Sequence, residues 1–193
     1  MSERTTNIYL SGVGGQGIGL LAEVLGQSCL AAGHRVRGCD THGLAQRHGT
    51  VASHIRLGEA ARMPRVPLGE ADLILGLERL ETLRAIKSML KNGGVAIYYD
   101  TVYQPIHVRM KLADYPGHDE LAAAVKRKDG RLERVLVEDL ADPRMQNVAL
   151  FGRAIGAGAV PGVSAETAEE ALAEAVPPRL REENLAVFRA ASG

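Results

Sequence analysis

A short glycine-rich segment of the chain has the residue types and spacing of a phosphate-binding loop. The run Gly12-Val13-Gly14-Gly15-Gln16-Gly17 matches the pattern GxGxxG and lies between an apolar run and a stretch of helical periodicity. Glycines let the backbone approach a phosphate closely, and the start of the following helix offers N–H groups to it. The candidate binding residues are Gly12, Gly14, Gly15, Gln16 and Gly17. Tight packing of strand against helix without a ligand would require the same glycines, so both interpretations stay open.

Two polar residues further along the chain could extend this site. Asp40 follows the last glycine by about 20 residues, which is where NAD-binding folds place the acid that binds the adenosine ribose. Capping of a strand-end turn is the alternative role for Asp40. Arg47 stands in a polar, glycine-flanked stretch, where its guanidinium could hold a carboxylate or phosphate through two hydrogen bonds. A surface ion pair is the alternative for Arg47.

Metal and nucleophile chemistry is not predicted. His42, His48 and His54 are evenly spaced, but the spacing places no two of them on one helix face and no carboxylate cluster lies near them in sequence. Ser11, beside the glycine loop, has no identifiable base. The sequence therefore predicts no metal site and no catalytic residue.

Composition sets the class of protein. The chain has 193 residues, with 23 basic and 23 acidic side chains and two cysteines. This length predicts a single domain over residues 1–193, and the balanced charge argues against nucleic-acid binding. Neither a bilayer-spanning apolar run nor a signal peptide is evident, which predicts a cytoplasmic protein. An iron–sulfur cluster takes about four cysteines, so none is expected on this chain.

The elements that must position the glycine loop follow from the apolar pattern. Continuous apolar runs predict strands that are covered on both faces, and helical segments separate them. The runs are 8–10, 73–75, 95–97 and 135–137. Further strands are predicted over 35–40 and 51–57, the latter with one solvent-facing side, and a loop is predicted at 91–94. The alternation predicts an α/β fold: a doubly wound, mostly parallel, Rossmann-like sheet with helices on both faces.

The C-terminal third is predicted to be a helical extension. Asp142 and Pro143 open one helix, and Ser164 caps an alanine-rich second helix that ends before Pro177. A last helix from about 179 to 191 carries Leu185 and Phe188.

Several motifs together resemble one enzyme family, the 2-oxoacid:ferredoxin oxidoreductases, and within it the small gamma-type subunit. Besides the glycine loop, the resemblance rests on segments spread over nearly the whole chain. They are 42–47 (HGLAQR), 53–56 (SHIR), 70–72 (EAD), 92–94 (NGG), 142–144 (DPR) with Asn147, and 184–188 (NLAVF). The nearest members are the beta subunits of indolepyruvate ferredoxin oxidoreductases.

The resemblance implies an accessory subunit that is inactive alone. The family decarboxylates a 2-oxoacid oxidatively to an acyl-coenzyme A and passes the electrons to ferredoxin. Larger partner subunits are expected to hold thiamine diphosphate and iron–sulfur clusters, while coenzyme A is a cosubstrate. The glycine loop is implied to face that region, and a second loop with His42, Gln46 and Arg47 to lie beside it. A homodimer of the isolated chain is an open alternative.

The second loop bears on the substrate. Its HGxAQR form resembles the aryl-pyruvate type and favours an indolepyruvate-like acid, whereas relatives commonly have glycine where this chain has His48. Two other functions stay open from the residues alone: a free-standing NAD-binding oxidoreductase that uses Asp40, and a module that senses a phosphate-bearing metabolite.

Overall fold

In a computed structural model, the described residues are 5–42, 49–101, 110, 114–138, 140 and 142–193, with the backbone alone for His42. Six strands form one sheet in this part of the chain. They are β1 (Thr6–Val13), β2 (Val36–His42), β3 (Thr50–Leu57), β4 (Ala71–Gly76), β5 (Leu90–Tyr99) and β6 (Arg131–Val135). The helices are α1 (Ile18–Ala31), α2 (Arg79–Ser88), α3 (His118–Lys126), α4 (Gln146–Gly156), α5 (Ala165–Ala175) and α6 (Arg181–Ser192), and 3₁₀ turns at Pro143–Met145 and Pro178–Leu180 precede α4 and α6.

The strand order is β2-β3-β1-β4-β5-β6. Strands β1, β4, β5 and β6 pair in parallel, whereas β3 runs antiparallel to both of its neighbours. The predicted mostly parallel α/β sheet is therefore confirmed. The carboxyl ends of β1 and β4 lie side by side, because Ser11 pairs with Gly76. After β1 the chain continues into α1 on one face of the sheet, and after β4 it continues into α2 on the other face. Open α/β sheets bind ligands at such a point, where connections diverge from the carboxyl ends of adjacent strands.

Two apolar layers explain the continuous apolar runs. Leu73 and Leu75 of β4 belong to the core beneath α1, α4, α5 and α6, while Ile74 between them belongs to the core beneath α2 and α3. All three side chains are buried, because successive strand residues point to opposite faces and both faces are covered. The C-terminal helices confirm the predicted extension: Ser164 Oγ accepts the Thr167 N–H (3.1 Å), and Leu185 and Phe188 are buried.

Three local predictions were wrong. The strand expected over 135–137 is instead Arg131–Val135, the last strand in the sheet order, and Leu136, which lies beyond its end, is 47% exposed. The solvent-facing side expected for β3 is largely buried, because the segment 63–66 lies over it: the Val66 N–H donates to His54 Nδ1 and Arg56 Nη1 donates to the Met63 carbonyl. Residues 91–94 lie within β5 instead of a loop, and the register of β4 against β5 shifts at this point.

Candidate functional site

The glycine loop joins the end of β1 to the start of α1, as predicted. Gly17 is the N-cap residue of α1 and has left-handed backbone (φ 76°), and no side chain caps the helix. The first N–H groups of a helix lack partners within the helix, so this uncapped end of α1 has donors and a positive partial charge to offer an anion. The first turn of α1 also contains no acidic residue that would neutralise that charge.

A groove opens beside this end of α1. It has a cavity volume of about 540 Å³, and the loop and the first turn of the helix form one wall. The described lining residues are Val13, Gly14, Gly15, Gly17, Ile18, Gly19, Leu20 and Val51. Three of the five predicted loop residues, Gly14, Gly15 and Gly17, thus line a groove whose size suits a phosphate-bearing ligand.

The other two predicted loop residues face the interior. Gln16 is buried: its Oε1 accepts the Val13 N–H (2.8 Å) and its Nε2 donates to the Leu77 carbonyl (2.6 Å). Gly12 lies beneath it, where a Cβ would stand 3.0 Å from Gln16 Oε1 and 3.2 Å from Leu77 Cβ. The Gln16 amide thus supports the loop from the interior, and a role for Gln16 in cofactor binding stays a prediction.

Two neighbours hold the loop from outside. The Gly14 N–H donates to the Gly49 carbonyl (2.9 Å) at the start of β3. From α4, Asn147 Nδ2 donates to the Gly17 carbonyl (3.2 Å). The loop is thus held by β3, by α4 and by the end of β4 through Gln16.

The second predicted loop is described only at its ends. His42 is the last residue of β2, while Gln46, Arg47 and His48 lie outside the described residues. The chain after this loop returns at Gly49, directly beside Gly14. A binding role for His42, Gln46 and Arg47 stays a prediction.

Asp40 does not lie beside the glycine loop. It is on β2, and β3 separates that strand from β1. Its carboxylate accepts a hydrogen bond from Ser53 Oγ on β3 (2.5 Å). In NAD-binding folds the ribose-binding acid follows the strand adjacent to β1, so this topology does not support the ribose role of Asp40.

A buried polar group under the start of α2 was missed from the sequence. Glu78 is fully buried, and its Oε2 accepts the Glu81 N–H (2.9 Å) as the N-cap of α2. Glu78 Oε1 and the nearby Ser11 Oγ are buried without a hydrogen-bond partner in the described part of the chain. Burial raises the pKa of Glu81, and the ion pair with Arg84 (2.8 Å) opposes that rise. A capping acid directly after an apolar strand was the available signal.

In the described ranges, no group of three or more His, Cys, Asp or Glu side chains is arranged to hold a metal ion. None of the described helices combines the length and apolarity that crossing a membrane requires.

Comparison with known proteins identifies the family. The family model described as pyruvate ferredoxin/flavodoxin oxidoreductase matches residues 7–193. The chain belongs to this family. Indolepyruvate oxidoreductase subunit IorB of Pyrococcus horikoshii is 36% identical over 187 residues, which cover 94% of this chain and 92% of that protein. Its counterpart in Thermococcus kodakarensis is 37% identical, with the same coverage of both chains. The resemblance to gamma-type subunits found in the sequence is thereby confirmed.

Solved structures of the family share the fold. Pyruvate oxidoreductase subunit PORC of Thermotoga maritima has a TM-score of 0.72 at 18% identity, covering 98% of this chain and 96% of that one. A gamma subunit of a keto/oxoacid ferredoxin oxidoreductase from Geobacter sulfurreducens has a TM-score of 0.66 at 19% identity, with 97% and 96% covered. The 2-oxoglutarate:ferredoxin oxidoreductase of Magnetococcus marinus has a TM-score of 0.60 at 15% identity; 98% of this chain matches 30% of that chain. In that protein the same fold is one part of a much longer polypeptide.

Proposed function

We propose that this chain is the gamma-type accessory subunit of a 2-oxoacid:ferredoxin oxidoreductase of the indolepyruvate type. As a single domain in the cytoplasm, it would complete the active region of a larger partner. The observation that carries the proposal is the groove at the uncapped start of α1, at the sheet edge where β1 and β4 diverge. The full-length similarity to the IorB subunits supports the substrate type.

We assign the groove to binding of the cosubstrate, coenzyme A. Backbone N–H groups of the first turn of α1 suit the phosphate oxygens of coenzyme A, which would bind in front of Gly14, Gly15 and Gly17. His42, Gln46 and Arg47 would lie beside it, because the chain that follows them passes Gly14 at Gly49. The subunit would thus position the acyl acceptor.

The redox groups would belong to the partner. Cys29 is fully buried in the core, and burial raises the pKa of its thiol to about 12, which disfavours the thiolate that binds iron. Cys39 alone cannot hold a cluster that takes about four cysteines. Thiamine diphosphate and iron–sulfur clusters are therefore assigned to the larger subunit, which passes electrons to ferredoxin.

Reconstitution tests this proposal. The purified chain is expected to show no 2-oxoacid-dependent dye reduction, and the larger thiamine-diphosphate subunit from the same organism is expected to gain coenzyme-A-dependent activity when the chain is added. Indolepyruvate should be a better substrate than pyruvate or 2-oxoglutarate, judged by kcat/KM. Turnover by the chain alone, or unchanged activity of the partner, would contradict the subunit assignment; a preference for pyruvate would contradict only the substrate type.

A pair of glycines in α1 tests the groove itself. Gly19 lines the groove, whereas Gly26 lies two turns further along the same helix, and a Cβ at either position would meet open space. Gly19→Glu places a negative charge where the phosphate would bind, and Gly26→Glu is the matched control. We expect Gly19→Glu to raise the KM for coenzyme A roughly tenfold, equivalent to about 1.4 kcal/mol.

The two substitutions should leave the fold intact. A glutamate in the first turn of a helix is favourable to the helix dipole, so the thermal stability of the Gly19→Glu chain should not fall. Equal KM values for the two variants would remove the groove from the proposal and leave the subunit assignment standing.

A further inference from the structure

A group of basic side chains lies near the carboxyl ends of β4 and β5, away from the groove. Asp100 directly follows β5, and its carboxylate is 2% exposed. Arg79, the first residue of α2, and Arg134 of β6 each donate the Nε–H to it, one to each carboxylate oxygen. The two guanidinium groups thus come from the chain after β4 and from β6, and both are held in place by one carboxylate.

The cluster carries a net positive charge. Burial alone would raise the pKa of Asp100, but the hydrogen bonds from Arg79 and Arg134 outweigh it and hold the pKa below its ordinary value. The hydrogen bond to Asp100 likewise raises the pKa of Arg79. One carboxylate therefore faces two permanently charged guanidinium groups.

A tyrosine next to Arg134 in the sheet contacts a histidine on α3. Tyr98 lies two residues before Asp100 on the same face of β5 and pairs with Arg134 in the sheet. Its hydroxyl lies 2.7 Å from Nδ1 of His118, the exposed first residue of α3, and the two rings stack with their centroids 6.0 Å apart. The hydrogen bond occupies Nδ1 and leaves Nε2 of His118 for another partner.

Both arginines keep donors for a ligand. Only the Nε–H of each is used within the part of the chain that the structure describes, so the Nη groups make no hydrogen bond there. The side chain of Arg134 is 48% exposed, so a solute can reach it. That of Arg79 is 22% exposed, because the Tyr115 ring lies over its guanidinium, 5.7 Å from Cζ to the ring centroid. Paired guanidinium groups that are fixed in advance bind the oxygens of a phosphate or carboxylate at little cost in side-chain entropy.

We propose that Arg79 and Arg134, positioned by Asp100, form a second oxyanion-binding site on this subunit. Its ligand is a phosphate or carboxylate group. The site is distinct from the groove at α1, because Arg134 lies on β6, three strands from β1, and each strand adds about 4.8 Å.

Titration calorimetry on the full chain at low ionic strength tests the site, with inorganic phosphate and acetate as probes. Saturable binding of either probe is expected, and the stronger one identifies the oxyanion. Arg134→Gln should weaken binding of the preferred probe roughly tenfold, since the substitution removes one charged donor group. Arg131→Gln is the matched control: Arg131 is an exposed arginine of the same strand and has no ion pair with the described residues.

Arg134→Lys separates loss of binding from loss of fold. It keeps the charge beside Asp100, so the chain should remain folded, but it lacks the forked donors and should bind more weakly than the wild type. The absence of binding by the wild type overturns the site, as does an equal loss in Arg134→Gln and Arg131→Gln. Either result leaves the proposed subunit role untouched, because that role does not use this site.

Discussion

The side-chain amide of Gln16 ties the glycine loop to the carbonyl of Leu77, at 2.6 Å, across the boundary between β1 and β4. The same side chain accepts the Val13 N–H at 2.8 Å. One buried residue thus satisfies a donor in the loop and an acceptor in the neighbouring connection, so the position of the loop is determined by the end of β4.

Replacing Gln16 should therefore destabilise the chain. Gln16→Leu leaves the Val13 N–H and the Leu77 carbonyl without partners in the interior, and we expect a loss of about 1–3 kcal/mol in the free energy of unfolding. Urea unfolding measures this loss. Gln27→Leu makes the same change at an exposed position of α1 and should cost far less; similar losses in the two variants would show that the brace contributes nothing.

Gly17 should tolerate a side chain less well than Gly33, although both have left-handed backbone (φ 76° and 82°). Substitution by alanine strains the backbone by about 1–2 kcal/mol at either position. A Cβ at Gly17 would also stand 2.5 Å from Asn147 Nδ2, whereas Gly33 faces open space. Gly17→Ala should therefore lower the thermal midpoint more than Gly33→Ala, and equal midpoints would mean that Asn147 moves aside freely.

His54 should make stability fall in mild acid. Its ring is buried at 5.0 Å from that of Tyr9, and its Nδ1 accepts the Val66 N–H (3.1 Å), which requires the neutral form. Burial and the nearby Arg65 lower its pKa from 6.5, with Asp40 acting in the opposite direction. Because the folded state resists protonation, this contribution is complete above pH 6.5 and is lost as the pH falls below it.

Substitution separates the contribution of His54 to the pH dependence of stability from that of other groups. His54→Gln keeps an acceptor for the Val66 N–H but does not titrate. Between about pH 8 and about pH 5 the free energy of unfolding of the wild type should fall more than that of the variant. Parallel pH profiles would show that His54 does not contribute.

The two cysteines should differ in reactivity. Cys29 is fully buried with its pKa raised to about 12, whereas Cys39 is partly exposed on β2. A thiol reagent such as DTNB should modify Cys39 in the native chain and Cys29 only after denaturation. Cys39→Ser should abolish the fast reaction, and rapid labelling of Cys29 in that variant would show that α1 opens readily.

The sequence by itself determined the local features that short-range chemistry dictates. The strand before Gly14, the helix after Gly17 and the cap at Ser164 are all present, because apolar periodicity, left-handed glycine and capping hydroxyls act over a few residues. The motif set also identified the family.

Only the tertiary structure decided which side chains meet. Strand β3 lies between β1 and β2, so Asp40 is held away from the glycine loop, although its spacing in the sequence had suggested that it extends the site there. Gln16 points inward because Leu77, 61 positions later, offers it an acceptor. The cluster of Arg79, Asp100 and Arg134 exists because three neighbouring strands bring distant residues to one edge. Such contacts depend on strand order and long-range burial, which local residue patterns do not encode.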